Sequence, residues 1–155
     1  MSHAILVPVC EENVVDIVNL AEELMSLSRY KEPFDRSWAL HMANTCCNLP
    51  NMFGRLAMLE DGSYCGFIIG STSHVLYSPK LVSTQETIYV RDGTRFRASI
   101  GKQLMNALTH WAFTVRKAMI LRTGETSGIS PKGVDAFFKG LGFLPLGSLY
   151  IKENI

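Results

Sequence analysis

The stretch Gln85–Ala112, Q-E-T-I-Y-V-R-D-G-T-R-F-R-A-S-I-G-K-Q-L-M-N-A-L-T-H-W-A, decides how this chain is read. Thr87, Ile88, Tyr89 and Val90 are β-branched or aromatic and suit a pleated, half-buried strand. Asp92-Gly93 breaks that run. From Ala98 the period changes: Ile100, Leu104, Leu108, Trp111 and Val115 recur at helical spacing, which predicts a helix to about Lys117. The turn between strand and helix carries Arg91, Arg95 and Arg97, with Lys102 one helical turn on. A helix start offers unpaired N–H groups and a partial positive charge, so added cations make it a natural anion site. Two readings stand at this point: a phosphate or pyrophosphate site, or a solvated basic turn.

On the N-terminal side, Ala4–Val9 is a short apolar run consistent with a first strand. Glu11 and Glu12 are placed to open a helix, with Val14, Ile17, Val18, Ala21, Leu24 and Met25 at helical spacing. Asp35 reads as the N-cap of a second helix, which ends before Pro50. Strands follow at Phe53–Leu59, Tyr64–Val75 and Val82–Val90; Asp61-Gly62 turns the first pair and Pro79-Lys80 lies in the second link. On the C-terminal side, Ala118–Leu121 is an apolar strand and Thr123–Ser130 a polar loop. Ser130-Pro131 would start a last helix, Lys132–Leu141, ended by Gly142, and one or two strands over Phe143–Ile151 would close the chain. The order is β-α-α-β-β-β-α-β-α-β(-β). Short turns allow antiparallel pairs in the first half, and the later β-α-β crossover demands a parallel pair. The expected fold class is therefore α/β: a mixed, mostly antiparallel sheet, helices on both faces, and the strand at Val82–Val90 near its centre.

The length of 155 residues predicts a single domain, 1–155, and a formal net charge of +1 gives no global drive toward nucleic acid or membrane. With 47% hydrophobic and 19% charged residues the chain is globular rather than disordered. No apolar run reaches bilayer length, and the N-terminus lacks a basic n-region, so the expectation is a cytoplasmic protein. Cys10, Cys46, Cys47 and Cys65 form no C-x-x-C pair, so no metal is expected and the thiols are read as reduced and packed. A nucleophilic Cys46 with His41 one turn away is the minor alternative.

The element order and two segments resemble the GNAT superfamily of acetyl-CoA-dependent N-acetyltransferases, and in sequence the chain is similar to phage and bacterial GNAT-like proteins. The first segment is I-Y-V-R-D-G-T-R-F-R-A-S-I-G-K-Q-L, like that family's strand, pyrophosphate loop and helix. The second is G-I-S-P-K-G-V-D-A-F-F-K-G-L-G-F-L-P-L-G-S-L-Y, like its helix ending in Leu-Gly-Phe. The family's loop pattern is R/Q-x-x-G-x-G/A. Anchored on Gly101, it places Phe96 at the first position and Ser99 at the middle glycine, so the loop is degenerate. The family's tyrosine acid on the last helix falls on Phe138, which has no proton to donate.

The resemblance implies acetyl-CoA as co-substrate, held along Ile88, Tyr89 and Val90 and across Arg95, Arg97, Ala98, Ser99, Ile100, Gly101 and Lys102, with Ser130 against the CoA arm. A backbone N–H near Tyr89 or Val90 would meet the thioester carbonyl. Glu86 falls where many GNAT enzymes place a carboxylate and would act as base; its alternative is a solvated strand carboxylate. Gln85 and Glu86 point to opposite faces, so only one faces the cleft. Tyr150 or Tyr89 would replace the missing acid, or simply pack. The implied function is transfer of acetyl from acetyl-CoA to a small-molecule or protein amine by direct attack. The rival is a catalytically inactive GNAT-fold binding or assembly module, phage-encoded and virion-associated. A homodimer is left open; neither nucleic acid nor membrane is expected as a partner.

Overall fold

The structure, a computed structural model, describes residues 3–29, 33–124, 131–147 and 152. Among the described residues one five-stranded sheet has the order β1-β2-β3-β4-β5, with β1 Ile5–Pro8, β2 Met52–Met58, β3 Tyr64–Val75, β4 Ser78–Val90 and β5 Ile120–Arg122. The first three pairings are antiparallel and β4–β5 is parallel, as the crossover required. The helices are α1 Val14–Leu27, α2 Arg36–Asn48, α3 Arg97–His110 and α4 Pro131–Gly140. The middle strand is β3; β4 lies beside it, between β3 and β5.

Strand alternation builds two cores back to back. Leu56, Phe67 and Tyr89 go to one face, where Ile17, Leu20 and Leu24 of α1 cover them. Their neighbours Ala57, Ile68 and Val90 go to the other, against Ile100, Leu104, Met105 and Leu108 of α3. Helices therefore lie on both faces. The α3 helix sits close because Gly70 has no side chain: a Cβ there would fall 2.3 Å from Leu108 Cδ1. Phe137, Phe138 and Trp111 pack on this second core. The α2 helix packs on α1 through Ala43 with Val14 and Val18. Its Asp35 cap is present, the carboxylate accepting from the Trp38 N–H at 2.8 Å.

Several boundaries differ from expectation for local reasons. The α1 helix starts at Val14, not at Glu11. Asn13 ties the preceding residues into a turn, accepting from the Cys10 N–H and donating to the Pro8 carbonyl. The β4 strand begins at Ser78 and so contains Pro79 and Lys80. Both sit in a register break, between Val75 opposite Ser78 and His74 opposite Leu81, where proline withholds no ladder bond. The helix after Arg97 ends in a π-helical turn, Trp111–Val115, instead of running to Lys117. That wider turn rotates Val115 off the apolar stripe, and it is exposed. The following strand is correspondingly late, Ile120–Arg122 rather than Ala118–Leu121. After α4, Gly142 takes a positive φ of 86° and the Phe143 N–H turns back to the Phe138 carbonyl. Residues 143–147 accordingly form no strand; the rest of that expected strand, with Tyr150, lies outside the described residues.

Candidate active site

The site begins at a fault in the β3–β4 ladder. Ile69 faces Thr87 but Gly70 faces Gln85, which leaves Glu86 as the extra residue of a β-bulge. The bulge turns the Glu86 side chain outward, where it is exposed and accepts from the Ser71 hydroxyl at 2.5 Å. Cys46 of α2 is near enough for the Glu86 charge to act on it. Burial first, then Cys47 and Glu86, push its thiol above the ordinary range. A thiol raised in this way is not a nucleophile at neutral pH, and the His41 ring lies tilted against Trp38 instead, 5.5 Å between centroids. Gln85 goes the opposite way and is 7% exposed.

Beyond the bulge, no described strand pairs with the outer edge of β4, although the Ile88 N–H is held by the Gln85 amide oxygen. The strand pairs with β5 only over Val82–Thr84. The Arg91 N–H donates to the Cys65 carbonyl of β3 at 2.8 Å. Donors alternate along a strand, so the Tyr89 N–H also faces β3, while those of Ile88 and Val90 face the β5 side. Of the two N–H groups considered for a thioester carbonyl, Val90 therefore carries the available one. Tyr89 points its ring into the α1 face, and its hydroxyl lies against Glu23, away from the open edge.

That edge leads to the start of α3. Phe96 precedes the helix in the left-handed conformation, φ 60° and ψ 30°, and its side chain makes no cap. The first N–H to find a helical acceptor is that of Ile100, on the Phe96 carbonyl. Those of Arg97, Ala98 and Ser99 lie in the first turn, where the helix supplies no acceptor. The Phe96 ring stacks on His3 at 4.0 Å and lies 4.6 Å from the Arg95 guanidinium carbon. Two of the four cations are already committed. Arg91 makes a forked pair with Glu23 at 2.6 and 2.9 Å, which holds the Glu23 carboxyl below its usual range. Arg97 donates to the Val90 carbonyl and to Asp92, both at 2.8 Å. Arg95 and Lys102 have no ion pair among the described residues. Gly101 faces Phe137, whose ring carbons lie 3.3 Å from where its Cβ would be, so this glycine lets α4 pack close.

The residue types fit a pyrophosphate-bearing ligand with an extended arm. Among the described residues they offer first-turn N–H groups with no helical acceptor, two cations with no ion pair, and a strand edge that no other strand covers and that leads to a carboxylate. Phe138 packs edge-on against Phe137 and Phe143, so it is core. Ser130 and Tyr150 lie outside the described residues. An open depression of about 510 Å³ lies elsewhere, lined by Asn19, Glu22, Glu23, Ser26 and Arg91. Its Arg91 and Glu23 are paired with each other. Among the described residues no group of three or more His, Cys, Asp or Glu side chains is placed to hold a metal. No described helix is long and apolar enough to cross a membrane. Sequence reasoning passed over Ser71, Asp92 and the role of Gln85. The signal for Gln85 was a polar residue amid a strand otherwise fit for burial.

No protein-family model matches the sequence, and none of the curated proteins matches it. Solved structures do. The aminoglycoside N-acetyltransferase AAC(6')-Iy, in complex with a bisubstrate analogue, CoA-S-monomethyl-acetylneamine, superposes with a TM-score of 0.77. The match is 18% identical and covers 99% of each chain. The aminoglycoside 6'-N-acetyltransferase AAC(6')-Ih from Acinetobacter baumannii gives 0.72 at 19% identity over 97% of this chain and 98% of that one. A ribosomal-protein-alanine N-acetyltransferase from Brucella melitensis biovar Abortus 2308 gives 0.71 at 14% identity over 97% and 99%. The chain has the GNAT fold, shared with these acetyltransferases.

Proposed function

We propose that this protein is an N-acetyltransferase that moves an acetyl group from acetyl-CoA to a primary amine by direct attack. The observation that carries it is the bulge at Glu86, where an exposed carboxylate meets the outer edge of β4 below an uncapped helix start. CoA-bearing neighbours of the same fold support acetyl-CoA as co-substrate. Acetyl-CoA supplies the activated thioester. The chain supplies the rest. The α3 start, with Arg95 and Lys102, holds phosphates, and the β4 edge aligns the arm. Glu86, oriented by Ser71, accepts a proton from the amine, which attacks the carbonyl carbon. The Val90 N–H stabilises the oxyanion as the C–S bond breaks and the thiolate leaves. Neighbours that act on aminoglycosides favour a small-molecule amine as acceptor.

The rival reading, a binding module without turnover, is favoured by one observation. Phe138 is core and Tyr89 faces Glu23, so the described residues offer neither as an acid for the thiolate. Calorimetric titration with acetyl-CoA, followed by thiol-release assays over a panel of amines, tests both. Binding with turnover supports the enzyme; binding without turnover on any amine supports the module. No binding at millimolar acetyl-CoA removes the proposal.

A further inference from the structure

The C-terminal end of α2 lies beside the Glu86 bulge. Only residues 49–51 separate α2 from β2, and Met52 at the start of β2 stands opposite Ser71, whose hydroxyl holds Glu86. The Asn51 carbonyl accepts from the Thr72 N–H at 2.8 Å, which ties this connection to β3. From behind, the buried Gln85 amide braces the bulge, donating to the Thr123 hydroxyl at 2.6 Å and accepting from the N–H groups of Thr87 and Ile88. One side of α2 is spent on α1: Ala43 is buried there, with Ala39, Leu40 and Cys47 packed around it. Trp38, Met42 and Cys46 make a second row, each four residues from the next, so they align along the helix beside that contact. Cys46 is half-buried and within range of the Glu86 charge, Met42 is 42% exposed and Trp38 63%. Apolar surface therefore starts near the carboxylate and opens to solvent over about 12 Å of helix. The α2 helix carries no Asp or Glu, its arginine, Arg36, is paired with Glu22, and Asp35 ahead of it caps the helix start.

We infer that the acceptor is a primary amine on an aromatic or aliphatic body, which lies along Trp38 and Met42 with its amino group at Glu86. The inference rests on the proposed function, because that reading brings the amine to Glu86. Met42 and the Trp38 ring hold the body by apolar contact and stacking, and the Glu86 carboxylate meets the ammonium. A polycation is poorly served here. Its further ammonium groups would lose water against apolar side chains, with no carboxylate on α2 to meet them.

The test measures thiol release from acetyl-CoA by the full chain with phenylbutylamine (ring at the far end of the chain), butylamine and kanamycin A. Wild type should use phenylbutylamine with a kcat/KM about tenfold or more above that for either of the others. Replacing Trp38→Ala and Met42→Ala together should raise KM for phenylbutylamine and bring its kcat/KM to within about threefold of that for butylamine. Trp38→Phe keeps an aromatic face and should retain most of the preference. Both side chains are exposed, and the Asp35 cap bonds the Trp38 backbone N–H, which substitution leaves in place. Should the double variant fail to fold, Trp38→Ala alone should lower the preference in the same direction. Turnover that is best on kanamycin A, equal on the three amines or confined to other amines overturns the inference while the proposed function stands. So does a preference that a folded double or Trp38→Ala variant leaves unchanged. Failure to bind acetyl-CoA, or binding without turnover on any amine, overturns the proposed function, and this inference with it.

Discussion

Glu86 reaches solvent because the ladder holds one residue too many at that point, not because of its polarity alone. An exposed carboxylate beside a hydroxyl suits general-base work without being structurally essential. Glu86→Gln should therefore lower turnover by roughly 10²–10⁴-fold, as expected for loss of a general base, with acetyl-CoA affinity little changed in calorimetry. Unchanged turnover across pH would remove Glu86 from the mechanism. Glu23 works in the other direction, as a tie between α1 and the end of β4. Its carboxyl titrates below the ordinary value of 4.5 because of Arg91. A depressed carboxylate contributes stability above its unfolded value and loses it as pH falls through the folded one. Chemical denaturation should accordingly show Glu23→Gln less stable than wild type at pH 7, by under about 1 kcal/mol for so exposed a pair. The two should converge in acid, below the ordinary carboxylate range. A gap that persists there would show that charge is not the cause.

At the scale of elements, the start of α3 combines a left-handed Phe96, an uncapped first turn and unequal cations. All four basic residues are visible in the sequence, yet only their surroundings tell them apart. Arg91 and Arg97 hold the loop to Glu23, Asp92 and the Val90 carbonyl. Arg95 and Lys102 have no ion pair among the described residues, and the proposed function assigns them to the phosphates of acetyl-CoA. Replacing either of these by Ala should weaken acetyl-CoA binding by about 1 kcal/mol, typical of a solvated ion pair, and raised salt should reproduce part of the loss. Binding that ignores both residues and salt would place the phosphates elsewhere. On the opposite face of the sheet, α2 depends on an ordinary cap. Asp35→Ala should cost about 1 kcal/mol in a urea melt, through loss of the bond to the Trp38 N–H. No change would mean that tertiary packing alone holds the start of α2.

Across the whole molecule, α3 is clamped to the sheet at Leu108, fully buried over Gly70. Leu108→Ala should destabilise the fold by about 2–5 kcal/mol in denaturant unfolding, the range for a core Leu whose cavity does not collapse. A loss well under that range would mean α3 settles into the space. The same clamp would join function to stability under the proposed function, because the helix that packs through Leu108 carries the proposed anion site at its other end.

Period and punctuation in the sequence determined most of the architecture. Alternation in Phe67-Ile68 and Tyr89-Val90, helical spacing in Ile100–Leu108, and breaks at Gly62, Gly93 and Gly142 are local signals, so element order and sheet type were legible in the chain itself. The identity of Glu86 and of the basic residues was legible too. Their roles were not. A β-bulge is a mismatch between two strands, and nothing in β4 alone reveals that Glu86 is its unpaired residue. Ion pairing joins residues far apart in the chain, as Arg91 with Glu23, so charge counting overstated the cations free for a ligand. The direction of the Tyr89 hydroxyl and the amide bridge from Gln85 to Thr123 likewise depend on which neighbours the folded sheet brings close. Contacts between distant segments decide those features, and local sequence carries no record of them.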